Sequence, residues 1–159
     1  MNQTINHFIQ NIGQLSQNIA HMNQNISVQP IAFDARLSHG IASLGDQQTI
    51  VYDKIVTNIG NGYDSRNSYF SAPVNGVYMI AVSGMAEHNE YIELSIVKNG
   101  TPIGFVRSGF TNDYESGTTV LPLFLAKGDM IWVRHVSSTL GKIHGYGWNT
   151  FSGFLIATV

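Results

Sequence analysis

Residues 52–82 read Y-D-K-I-V-T-N-I-G-N-G-Y-D-S-R-N-S-Y-F-S-A-P-V-N-G-V-Y-M-I-A-V, and the rest of the chain can be assigned outward from them. Tyr52 to Thr57 is a strand-like run with apolar residues at 52, 55 and 56. Gly60, Asn61, Gly62 and Asp64 follow. Gly takes a positive φ without steric cost, and Asn and Asp tolerate one, so the chain is expected to reverse here. Tyr69-Phe70 is a second short strand, and Pro73 and Gly76 interrupt the ladder. Val77 to Val82 is a nearly continuous apolar run of β-formers, the pattern of a strand buried on both faces.

The spacing within this stretch is specific. An aromatic (Tyr52) is followed six positions on by Asn58, five later by Tyr63, seven later by Phe70, and then by Gly76-x-Tyr78. In this the chain resembles the globular head of complement C1q and its relatives, a branch of the tumour necrosis factor superfamily. Tyr52 and Ile80 stand where the family usually has Phe, and Val82 where it has an aromatic. These are apolar or aromatic replacements, so they bear on packing rather than fold. Lys127-Gly128-Asp129, Trp132-Val133 and Phe151-Ser152-Gly153-Phe154-Leu155 carry the resemblance to the end of the chain. It implies an all-β, ten-stranded jelly-roll sandwich over residues 31–159, with Tyr78 and Phe154 in its core.

Residues 1–29 form a different region. Ile5, Phe8, Ile12, Leu15, Ile19, Met22 and Ile26 recur alternately three and four apart, an unbroken heptad pattern with Ile at every a position. The first charged residue of the chain is Asp34. Asn is a poor helix former, and Gly13 costs about 1 kcal/mol relative to Ala, so the helix needs a partner surface. The narrow seam favours a short coiled-coil stalk over a helix packed on its own domain. Ile at a with Leu at d leans toward two strands, whereas Phe8 and Ile9 widen the seam. The family resemblance implies a homotrimer, or an assembly of higher order built from trimers. Pro30 ends the helix.

Beyond the stretch, Ala32 to Leu37 alternates as a first strand, and His39 to Asp46 reads as a loop. Lys98-Asn99-Gly100-Thr101 signals a type I′ hairpin. Pro122 assigns its strand to an edge or a bulge.

Composition excludes much. Of 159 residues, 8 are Lys or Arg and 10 are Asp or Glu, giving a formal net charge of -2. This exerts no strong pull toward nucleic acid or an anionic membrane. There is no cysteine, hence no disulfide or thiol chemistry. No apolar run approaches the ~20 residues of a membrane span, so no membrane insertion is expected. No basic-then-apolar leader opens the chain, which is expected to be the mature part of a secreted protein or an intracellular one. Catalytic signatures such as G-x-S-x-G, G-x-x-x-x-G-K-[ST] and H-E-x-x-H are missing, and the chain is expected not to be an enzyme.

Candidate ligand-binding residues are Arg107, Tyr114, His135, His144, Tyr146 and Trp148, in loops 107–114 and 135–148. Aromatic platforms beside hydrogen-bonding groups suit glycans, and an Arg suits the carboxylate of an acidic sugar. The same aromatics would equally serve contacts between subunits. Glu87, Glu90 and Glu93 with His88 form an acidic cluster that reads as a solvated face. Asp113 precedes Ser116-Gly117 by three positions, where some relatives hold calcium near the trimer apex. Calcium is therefore the one metal implied, with an Asp that only shapes its loop as the alternative. Asn99-Gly100-Thr101 is a glycosylation sequon on an expected hairpin tip. The resemblance implies a secreted trimer that binds sialylated or microbial glycans in innate immunity. The alternatives are a cerebellin-like ligand for a cell-surface receptor and an extracellular calcium or mineral-matrix protein.

Overall fold

The computed structural model describes residues 2–25, 30–109, 111–136 and 141–159. It begins with helix α1 (Asn2–Asn25). Ile5, Phe8, Ile12, Leu15, Ile19 and Met22 of the heptad seam are each between 51% and 64% exposed in the single chain. Ile26, the last seam position, lies outside the described residues.

Twelve strands follow among the described residues: β1 (Ala32–Arg36), β2 (Ile41–Leu44), β3 (Lys54–Ile59), β4 (Tyr63–Asp64), β5 (Tyr69–Ser71), β6 (Gly76–Met85), β7 (Tyr91–Lys98), β8 (Thr101–Gly109), β9 (Ser116–Leu125), β10 (Met130–His135), β11 (Gly141–Ile143) and β12 (Thr150–Thr158). Ten of them form two five-stranded sheets, ordered β3-β1-β12-β6-β9 and β4-β5-β10-β7-β8. This is the jelly-roll sandwich that the resemblance implied. The other two, β2 and β11, pair as a separate ribbon. The segment 39–46 is therefore not wholly a loop, as expected above. Ile41 pairs with Ile143 and Leu44 with Gly141, a long-range pairing that no local pattern announces.

The core explains the spaced residues. Phe33 stacks on Phe70 at 4.5 Å and on Tyr63 at 5.5 Å, and meets the edge of Phe151 at 4.8 Å. Asn58 clamps the turn: its Nδ2 donates to Tyr63 O at 2.9 Å, and its Oδ1 accepts from Tyr63 N at 3.1 Å. Tyr63 then donates its hydroxyl to Tyr52 O at 3.0 Å, and burial pushes the phenol up to about 12. A Cβ on Gly62 would come within 2.5 Å of the Phe70 ring, so only glycine fits between the motif's aromatics.

Two burial expectations are corrected. From Val77 to Val82 β6 alternates, with Tyr78, Ile80 and Val82 buried and Val77, Met79 and Ala81 only half-buried, so this run is not buried on both faces. Phe154 is 50% exposed rather than core. Gly153 takes the inward position, where a Cβ would lie 2.7 Å from Ile80 Cδ1 and 2.8 Å from a Phe33 ring carbon. Phe154 consequently faces out, in a row with Ile59, Ala32, Met79 and Pro122 across the whole first sheet. Pro122 lies on β9, at the sheet edge, as its missing N–H requires.

The head has two distinct ends. The chain enters at the base, where Ala32, Phe154, Met79 and Pro122 align. Here Asn99 (φ 48) and Gly100 (φ 90) form the expected hairpin turn. Asn99 Nδ2 donates to Asp129 Oδ1 at 2.8 Å, and its Oδ1 accepts from Met130 N at 2.8 Å. The sequon's carboxamide is thus committed to joining two turns. Asp129 also accepts from Ala126 N at 2.9 Å and pairs with Lys98 at 2.9 Å. The opposite end, the apex, lies beyond the Arg36, Thr150, Ser83 and Thr118 row.

Candidate functional site

Four segments converge at the apex: 38–42, 84–90, 111–117 and 141–149. Asn149 is wholly buried and ties two of them together. Its Oδ1 accepts from Met85 N at 2.8 Å, and its Nδ2 donates to His144 O at 2.5 Å and Met85 O at 3.3 Å. A second tie is steric. A Cβ on Gly145 would stand 2.2 Å from Gly40 N, so glycine is required for these backbones to touch. The loop then turns at Tyr146, whose φ of 59° is in the left-handed region that bulky residues avoid. Tyr146 is nevertheless 81% exposed, with its ring projected into solvent.

Beneath that ring is a cavity of about 430 Å³, lined by Gly40, Ile41, Ala42, Glu87, His88, Glu90, Lys142, Ile143 and Tyr146. This is within the range of small-ligand sites, roughly 300–1,000 Å³. Its polar groups are paired within the protein. His144 Nδ1 donates to Glu87 Oε1 at 2.8 Å, and Lys142 Nζ lies 2.5 Å from Glu90 Oε1. The Glu90 carboxylate raises the Lys142 pKa, so the ammonium is held charged. Along one side runs a ridge of rings. His88 and Tyr114 are 6.0 Å apart, Tyr114 and His144 4.8 Å, and His144 and Tyr146 5.7 Å. The arrangement offers flat apolar surfaces next to groups that can both donate and accept hydrogen bonds.

The expected site residues divide. Tyr114, His144 and Tyr146 come together at the apex. Trp148 is in the same loop and 59% exposed, but does not line the cavity. Arg107 lies on β8, 3.5 Å from Glu93 and 5.7 Å from the centre of the Tyr91 ring, and is also absent from the lining. His135 is misassigned as a surface ligand: it is 0% exposed, with Nδ1 2.9 Å from Gly45 O. The alternation of β10 places it inward with Ile131 and Val133. Asp113 is exposed in its loop, where its Oδ1 accepts from Tyr114 N at 2.8 Å. Among the described residues no group of three or more His, Asp or Glu could hold a metal ion.

The sequence passed over Gly40, Lys142 and Asn149. Glu87 and Glu90 were visible as part of an acidic cluster, but each has a basic or imidazole partner about 50 residues away or more in sequence. Among the described residues no helix is long and apolar enough to cross a membrane.

Comparison with known proteins agrees with this geometry. The model of the C1q domain matches residues 32–156. Complement C1q tumor necrosis factor-related protein 3 of Mus musculus is 34% identical over 132 residues, which are 79% of this chain and 51% of that protein. The chain thus spans about half the length of the curated relatives it matches. Among solved structures, the globular domain of zebrafish complement 1qA protein superposes with a TM-score of 0.68 at 18% identity, covering 81% of this chain and 99% of that one. Eiger TNF from S. frugiperda gives 0.68 at 12% identity, over 82% and 95%.

Proposed function

The chain belongs to the C1q domain family, and on that premise we propose that it is a secreted, self-associating recognition protein whose apex cavity binds glycans. C1q domains are ligand-binding modules without enzymatic activity, so the site is read for recognition rather than catalysis. One observation carries the proposal: Tyr146 is held out into water at a backbone angle that costs energy. Strain of about 1–3 kcal/mol persists where the surroundings impose it, and it gathers at binding sites. A ring so placed, beside paired carboxylate and ammonium groups, suits the face and hydroxyls of a sugar.

Tyr146→Gly tests this directly. Glycine accepts the positive φ, so the variant should melt no lower than the wild type. It should nonetheless lose saturable binding on a glycan array. Unchanged glycan binding by Tyr146→Gly overturns the assignment of the site. Binding of the wild type to cell-surface protein alone favours the receptor-ligand reading instead.

Self-association is supported by two surfaces. The heptad seam of α1 is exposed in the single chain. So are Ile59, Phe154, Val120 and Phe124, which point outward from the first sheet. A trimer would cover both and set three sites side by side, gaining avidity without new contacts. Light scattering should give about three times the 17.5 kDa chain mass, and a monomer at micromolar concentration would overturn it. Calcium belongs to the same proposal only as a ligand shared by the Asp113 side chains of three protomers.

A further inference from the structure

Resting on the glycan reading of the apex cavity, we infer that its ligand is a neutral hexose-based glycan and that terminal sialic acid is rejected. The charges of the wall carry this. Two carboxylates, Glu87 and Glu90, face one ammonium, Lys142, so the lining is net negative with its histidine counted neutral. That ammonium is already taken, 2.5 Å from Glu90 Oε1. An incoming carboxylate has to share that ammonium with Glu90, whose side chain is 23% exposed. This sets two like charges side by side around one ammonium. Arg107, the candidate residue suited to grip a carboxylate, is engaged with Glu93 and lies outside the lining.

A sugar hydroxyl meets the same wall differently. It donates to Glu90 or Glu87 while accepting from Lys142, so it bridges the pairs without breaking them. Ile41, Ala42 and the ring of Tyr146 offer apolar surface to the C–H face of a pyranose. Neutral hexoses present such a face together with several hydroxyls.

The test uses the full chain on an array holding mannotriose, laminaritriose, a galactose-terminated biantennary N-glycan and the sialylated form of that N-glycan. The best neutral glycan should bind tighter than the sialylated one by about tenfold or more, because like charges juxtaposed at an interface are strongly penalised. Glu90→Gln keeps the shape, frees Lys142 and should narrow that ratio. Sialylated binding equal to or tighter than neutral binding overturns the inference, as does a ratio that Glu90→Gln leaves unchanged. In both cases glycan recognition itself stands. No saturable binding to any of the four probes overturns the glycan reading beneath it. The wild-type ratio decides by itself, and the variant assigns it to the wall.

Discussion

The base and the apex of the head close the same sandwich by different means. At the base, side chains hold backbone: Asn99 and Asp129 together take up the amides of Met130 and Ala126, and Lys98 neutralises the carboxylate. At the apex, one buried amide and a glycine-to-glycine contact fix the backbone, and the large side chains are left over. The apex leaves the rings of Tyr114 and Tyr146 exposed, with Glu87 and Glu90 paired to His144 and Lys142 beside them, and on the proposed reading it is the recognition end.

One core serves both ends. Tyr78 is fully buried between them, with its hydroxyl donating to Val74 O at 2.9 Å. Tyr78→Ala should cost about 3–5 kcal/mol, read from urea denaturation. A loss below about 1 kcal/mol would mean the ends are stabilised independently.

Asn149→Ala probes the apex alone. Removing its carboxamide leaves the buried Met85 N–H without its acceptor, for a loss of about 1–3 kcal/mol. Amide exchange should quicken at 84–87 and 144–149 and stay slow at 98–101 and 126–130. Equal acceleration at the base would erase the distinction.

Acid probes the base. The Asn99 hydrogen bond first, then Lys98, lowers the Asp129 pKa below its usual value. Its stabilisation is therefore present above the unfolded-state pKa of about 3.9 and is lost as pH falls through the lowered folded value. Melting temperature measured from pH 5 downward should fall less steeply for Asp129→Asn than for the wild type. Parallel curves would remove Asp129 from the account.

The smallest effect concerns Asp113. Calcium should raise the wild-type melting temperature above a chelator control, and Asp113→Asn should abolish that rise. No rise in the wild type returns Asp113 to shaping its loop.

Local chemistry was the readable part. Asn99-Gly100 specified its turn and Pro122 its edge, because each acts within a few residues, while the aromatic core from Tyr52 to Tyr78 was legible through the family resemblance. His135 was readable and misread, since strand parity alone sends it inward. Phe154 needed Gly153, because which of two neighbours faces in depends on how little room Ile80 and Phe33 leave. The cavity was not readable. It joins residue 40 to residues 87 and 142, and the β2–β11 pairing that brings them together has no local signal.

The β1 strand gives this arrangement a mechanical meaning. The cavity wall at Gly40–Ala42 follows β1 closely in sequence, and the chain from α1 enters β1 at its other end. β1 is bonded along its length to β3 on one side and β12 on the other. On the proposed reading of the apex, a pull between a bound ligand and α1 would run along β1, parallel to its strand direction. It loads both ladders in shear, so their hydrogen bonds must yield together rather than peel one by one. The fold would thus resist a load applied at the proposed site with both ladders at once.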